Sequence, residues 1–143
     1  MKVTVQNPVL VTAAIIRSEG SVLIARRPLK ARVEPGKWEF PGGKVERGEH
    51  PEACLVREIR EELDLDIAVD RYFDHSAYAY GEESPVHIVL LCYLCRVTGR
   101  VARAVEAEEI RWVTKEELMD FDYAAADVPL VRRLFEEWDH LQI

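Results

Sequence analysis

The sequence predicts an α/β (α+β) fold, a mixed central β-sheet flanked by helices, and three observations predict it. Val9 to Arg17 and Ser21 to Arg26 are apolar, β-branched runs joined by Ser18-Glu19-Gly20, the pattern of a hairpin. Pro51 to Leu63 has the helical period, with Leu55, Ile59 and Leu63, together with Val56, forming one apolar arc. Val128 to Leu141 has the same period and closes the chain as a second amphipathic helix. Strand and helix patterns that alternate in this way are expected to give a sheet with helices on both faces.

The remaining elements follow in order. Pro28 to Gly36 is a polar loop, and Lys37-Trp38-Glu39-Phe40 is a short strand feeding Pro41-Gly42-Gly43. Pro51 suits a first helical position, although His50 stands where a Ser or Thr cap is usual. Ile67 to Ala79 and Val86 to Val97 read as strands, the second centred on a continuous buried run. Gly99 to Glu109 is a connection, Ile110 to Val113 a short strand, and Lys115 to Met119 a helical turn.

A chain of 143 residues with 48% hydrophobic content fits one domain over 1–143 with its own core. The net charge of -7 argues against binding nucleic-acid polymers, which takes a basic footprint. A small-molecule nucleotide remains a fitting partner where a metal supplies the positive charge. Three cysteines, Cys54, Cys92 and Cys95, are an odd count, and buried reduced thiols in a cytoplasmic protein are the expectation. Cys92-x-x-Cys95 falls in a strand and so is no helix-opening redox pair. No apolar leader follows Met1-Lys2 and no run reaches the ~18 residues of a membrane span, so a soluble monomer or homodimer is expected.

The helix over 51–63 carries an unusual charge pattern. Glu58, Glu61 and Glu62 span roughly 100° beside the apolar arc, interrupted only by Arg57 and Arg60. Like charges at these spacings repel by about 0.2–0.5 kcal/mol per pair, so their retention points to a cation. With Gly43 and Glu49 upstream and Leu65 downstream, the stretch closely resembles the Nudix box, Gly-x5-Glu-x7-Arg-Glu-U-x-Glu-Glu-x-Gly-U, where U is a bulky aliphatic residue. Asp64 replaces the final glycine; Asp tolerates the left-handed conformation expected there better than most residues.

The resemblance implies a Nudix-type α/β/α sandwich and hydrolysis at phosphorus. Magnesium, or manganese in its place, would be held by oxygen donors from Glu58, Glu61 and Glu62 and the Gly43 carbonyl. Arg57 is expected to pair with Glu49 and lock the loop to the helix. In MutT-like members of the family a glutamate ahead of an Arg-Trp-Val strand reaches the metal. This chain offers Glu106 first, then Glu109, with Glu108 between them, as general base and further ligand; a solvated acidic connector is the alternative.

Other stretches resemble MutT-like nucleoside triphosphate pyrophosphohydrolases. Leu23-Ile24-Ala25-Arg26-Arg27-Pro28 is similar to their Ala-Arg-Arg segment, and Trp38-Glu39-Phe40-Pro41-Gly42-Gly43-Lys44 to their Trp-Glu-Phe-Pro-Gly-Gly-Lys. Ala124-Ala125-Ala126-Asp127-Val128-Pro129 is similar to their Pro-Ala-(Asp/Asn)-x-Pro. By that resemblance Arg26 contacts a phosphate, Lys44 belongs to the substrate site, Phe40 borders the base and Asp127 accepts hydrogen bonds from its edge. Arg26 as surface charge, Phe40 as core and Asp127 as helix N-cap stand as alternatives. Tyr78 and Tyr80 read as strand packing, with stacking of one of them on a base as the alternative, the tryptophans as core or strand anchors, and the four histidines as structural or surface residues.

The reaction expected is Mg-dependent cleavage of a nucleoside triphosphate to the monophosphate and pyrophosphate, clearing 8-oxo-dGTP or a modified cytidine nucleotide. A dinucleoside polyphosphate or nucleotide-sugar hydrolase is the nearest alternative. A non-catalytic nucleotide-sensing module is the alternative from another class.

Overall fold

A computed structural model describes residues 8–81 and 86–143. Strand β1 (Val9–Ser18) turns through Glu19 and Gly20, both at positive φ, into β2 (Ser21–Arg26). The short β3 (Trp38–Glu39) and β4 (Gly42–Lys44) precede helix α1 (Pro51–Leu63). Long strands β5 (Asp66–Tyr80) and β6 (Val86–Gly99) follow, then β7 (Glu109–Val113), the one-turn α2 (Lys115–Leu118) and α3 (Val128–Glu137).

The sheet is mixed because β1 runs parallel to β6, from Val9 opposite Ile88 to Arg17 opposite Arg96, while every other pairing is antiparallel. β1 and β2 share rungs only at the hairpin end, Arg17 with Val22 and Ser18 with Ser21. Beyond that the two strands part. β4 takes the freed edge of β1 (Val11 with Lys44, Thr12 with Gly43, Ala13 with Gly42) and β3 takes the end of β2. The cleft described below opens where they part.

Alternation along β1 separates two cores. Ala14 and Ile16 face α1, packing with its Leu55, Ile59 and Leu63, whereas Ala13 and Ile15 face α3 with its Leu130, Val131 and Leu134. Each of these large side chains is at most 2% exposed, worth about 1.5–3 kcal/mol apiece in area removed from water. Val56, expected in the apolar arc of α1, is instead 40% exposed: Leu55, Ile59 and Leu63 repeat every four residues and already fill the buried face.

Helix α1 keeps its expected bounds and ends at Asp64 in the left-handed region (φ 52°, ψ 36°), its N–H bonding the Arg60 carbonyl at 3.1 Å. The Asp64 carboxylate meets Arg100 and Arg103, each at 3.1 Å, so it gains two cation partners where glycine has none. β4 is a separate strand, beyond the feed expected from the sequence, and α3 stops at Glu137 with a 3-10 turn over Trp138–His140. Asp127 stands at the N-cap position of α3 but makes no capping bond, because its carboxylate turns toward the sheet. Cys54, Cys92 and Cys95 are buried and free of disulfides. Among the described residues no helix is long and apolar enough to cross a membrane.

Candidate active site

The site starts from two glycines pressed against their neighbours. A Cβ on Gly43 would lie 2.2 Å from Cδ of Glu58, and one on Gly42 1.9 Å from the Thr12 carbonyl oxygen, so only bare backbone fits between β1 and α1. Ala14 donates to the Pro41 carbonyl and Val45 to that of Leu10, so alternation turns the carbonyls of 41 and 43 onto β1. The Gly43 carbonyl accepts a further bond from the Thr12 hydroxyl at 3.2 Å. The carbonyls of Gly42 and Lys44 face away from β1, and Lys44's accepts Arg57 at 3.4 Å and the Cys54 thiol at 3.3 Å.

Arg57 is the hub of the loop that follows. Its guanidinium grips Glu49 at two points, 2.8 and 2.9 Å, and reaches Glu58 at 2.9 Å and Glu61 at 3.3 Å. The Glu49 carboxylate also accepts the Glu46 N–H at 3.1 Å. Hydrogen bonds from Arg57 and then from that backbone N–H hold the Glu49 carboxyl down at about 2.

Glu62 is pushed the other way, up to about 9, first by burial and then by the charges of Glu58, Glu39 and Glu106. Four carboxylates thus stand close together with too little positive charge among them. Glu58 and Glu62 line the cleft beside Gly42 and Gly43, whereas Glu61 is exposed and turned to Arg57. Glu106 is exposed, tethered through its N–H to the Glu62 carbonyl at 3.3 Å. Among the described residues no three such side chains already converge at metal-ligand distance. The donor set nonetheless fits a hard divalent cation: carboxylate oxygens, a half-buried acid among like charges and glycine backbone with no Cβ in the way.

The cleft encloses about 710 Å³ and continues past Glu39 to Phe40, Tyr80 and Asp127, with Val9, Val11, Ile88 and Leu90 as apolar wall. Asp127 is 4% exposed and accepts the Phe40 N–H at 2.9 Å. Burial, followed by the charge of Glu39, raises its carboxyl well above the usual range.

Of the residues singled out from the sequence, Phe40, Gly43, Lys44, Glu58, Glu62 and Asp127 line the cleft together. Arg57, Glu49 and Glu61 form the bracing network behind it. Arg26 lies outside the lining and donates to the Gly36 carbonyl at 3.0 Å, closing the loop over 28–36. Its neighbour Arg27 lines the cleft and pairs with Glu39 at 3.0 Å, and Arg32 lines it from the same loop. Alternation along β2 and into the loop was the available signal for preferring Arg27. Tyr80, read first as strand packing, lines the cleft as well, whereas Thr12 and Glu39 were not singled out: a Thr within an apolar strand and a Glu beside Trp38 carry no local signal of a place in the cleft.

A mixed sheet with a helix on each face, carrying this glutamate helix at the mouth of a cleft, defines a Nudix domain. The chain belongs to the Nudix family of hydrolases, matching the NUDIX domain over residues 6–134. It is 36% identical over 122 residues to the CTP pyrophosphohydrolase of Escherichia coli K12, covering 85% of this chain and 87% of that one. It is 38% identical over 85 residues to the 8-oxo-dGTP diphosphatase of Proteus vulgaris, covering 59% and 72%. Among solved structures, that of the E. coli ORF135 protein aligns with a TM-score of 0.76 at 33% identity, covering 93% of this chain and 92% of the other.

Proposed function

We propose that this Nudix hydrolase cleaves a nucleoside triphosphate to the monophosphate and pyrophosphate in a magnesium-dependent reaction in the cytoplasm, clearing a modified nucleotide of the 8-oxo-dGTP or modified-cytidine kind. The reading is carried by one observation. The acids Glu58 and Glu62 and the base-sized, partly apolar space at Phe40 and Asp127 belong to one continuous cleft. The two relatives named for CTP and 8-oxo-dGTP chemistry support the same class.

A divalent cation bound there supplies charge neutralisation of the phosphate oxygens and a lowered pKa for the attacking water. Glu58 and Glu62 would hold it, joined by Glu61 and Glu106, and the Gly42 carbonyl would be the backbone donor, since that of Gly43 is turned onto Thr12. Arg57 orients Glu58. Glu106 is the general base, within reach of the cluster yet in contact with solvent. Lys44, Arg27 and Arg32 bind phosphate, while Arg26 braces their loop. Phe40 borders the base and Asp127 reads its edge.

The test is a panel of normal and damaged nucleoside triphosphates assayed with and without magnesium, with both products identified. Pyrophosphate and monophosphate formed only with the metal are expected. Turnover confined to dinucleoside polyphosphates or nucleotide sugars, or turnover indifferent to divalent ions, would overturn the proposal.

A further inference from the structure

Tyr80 ends β5 and lines the cleft, while its neighbour on the same strand face, Tyr78, lies outside the lining at 46% exposure and leans on it at 4.7 Å between ring centroids. The Tyr80 oxygen accepts the Ala126 N–H at 3.2 Å, one residue before Asp127. That bond uses the acceptor side of a group with a single proton to give. Among the described residues the phenolic proton has no acceptor, and burial keeps the phenol un-ionised.

The turn over 124–127, which carries Ala126 and Asp127, is fixed by three bonds. Ala124 donates to the Trp38 carbonyl at 2.9 Å, Ala125 to the Glu34 carboxylate at 3.3 Å, and Phe40 to the Asp127 carboxylate at 2.9 Å. With one Asp127 oxygen committed to Phe40, the other is the polar atom it offers the cleft. A donor and a carboxyl oxygen therefore stand side by side on a rigid support.

We infer that Tyr80 is a specificity-determining residue that touches the nucleobase, its hydroxyl donating to an acceptor atom on the base while Asp127 engages the adjacent N–H. The ligand class is a base edge with an acceptor next to a donor: the 6-oxo and N1–H of a guanine type, or the N3 and 4-amino group of cytosine. This inference rests on the reading of the cleft as a nucleotide site. A site built to bond a base atom rejects the analogue lacking it, because its own buried group is then left without a partner.

The experiment measures monophosphate binding by calorimetry without metal, so that it is independent of turnover. The probes are dGMP against 6-thio-dGMP, which keeps N1–H but replaces the 6-oxo acceptor with a much weaker sulfur one, and CMP against 3-deaza-CMP, which lacks N3. In the wild type at least one parent is expected to bind about 3- to 10-fold more tightly than its analogue, the size of one net hydrogen bond. Tyr80→Phe should abolish that gap by weakening the parent alone, and Tyr78→Phe should keep it.

If Tyr80 merely anchored Ala126, its removal would weaken parent and analogue alike; that result, an unchanged gap, or no gap in the wild type for either pair overturns the inference. Failure of the wild type to hydrolyse any triphosphate would instead sink the proposed reaction, with the binding gap still readable.

Discussion

Glu49 and Arg57 are joined by two parallel hydrogen bonds, at 2.8 and 2.9 Å, that fasten the loop before α1 to the middle of that helix. A planar fork on a carboxylate fixes orientation as well as distance. The same guanidinium reaches Glu58, so the geometry of a cleft-lining acid is set through a residue that lies outside the cleft.

This latch makes stability depend on acid pH. The Glu49 carboxyl is held at about 2 in the folded chain, against an ordinary value of 4.5. As pH falls below 4.5 the unfolded chain takes up the proton first, so the stabilisation present above that pH is lost progressively down to about 2. Denaturant melts between pH 6 and 2 should show wild-type stability falling across this window. Glu49→Gln should be weaker at pH 6 and should converge on the wild type near pH 2; parallel curves would remove the latch from the account.

Glu62 gives the opposite signature. Its carboxyl is raised to about 9 by burial and then by neighbouring carboxylates, so ionising it costs the folded chain stability in the absence of a cation. Glu62→Gln should therefore fold with equal or higher melting temperature while turnover with magnesium drops by more than the roughly 10–100-fold typical of residues one shell further out. Manganese titration followed by electron paramagnetic resonance should show weakened binding. Turnover kept near wild type would take Glu62 out of the site.

Much of this arrangement is legible in the chain because it is local. The 3.6-residue period of Leu55, Ile59 and Leu63 and the spacing from Gly43 to Leu65 place the acids without knowledge of distant contacts. What escapes is set by long-range packing. Asp127 precedes an apolar helix, and local rules favour a cap there; the Phe40 N–H, 87 positions earlier, offers a bond inside the core and wins its carboxylate. Arg26 and Arg27 are chemically alike, and alternation along β2 chooses between them only once the packing shows which strand face the cleft uses. Tyr80 acquires its place from Ala126, a contact between strand end and turn that no periodicity announces.

Gly43 tests the close approach of β4 to α1. A methyl group there would sit 2.2 Å from the Glu58 carboxyl carbon, well inside contact distance, so either Glu58 or the strand must move. Gly43→Ala should cost about 1–3 kcal/mol by overpacking and should lower turnover along with it. Gly48 is the control: a Cβ there meets nothing within 4 Å, yet its φ of +79° strains any side chain. Gly48→Ala should then lose stability with activity per folded molecule preserved. Wild-type stability and specific activity in Gly43→Ala would show that Glu58 yields to the methyl and that the close approach of β4 to α1 is not needed.

Asp127 carries the last prediction, again through the sign of a shift. Its carboxyl is raised well above 3.8 in the folded chain, by burial first and the charge of Glu39 second. Above pH 3.8 the unfolded chain has released the proton while the folded one keeps it, so stability falls as pH rises toward the folded value. Asp127→Asn keeps an oxygen for the Phe40 N–H and has no proton to lose. Its stability should lack that slope and exceed the wild type's at neutral pH, with its base preference altered and turnover retained. Asp127→Ala strands the Phe40 N–H, which should cost about 1–3 kcal/mol. Unfolding curves across pH 4 to 8 decide the matter: an identical slope in wild type and Asn variant would mean that burial does not raise the Asp127 carboxyl in the folded protein.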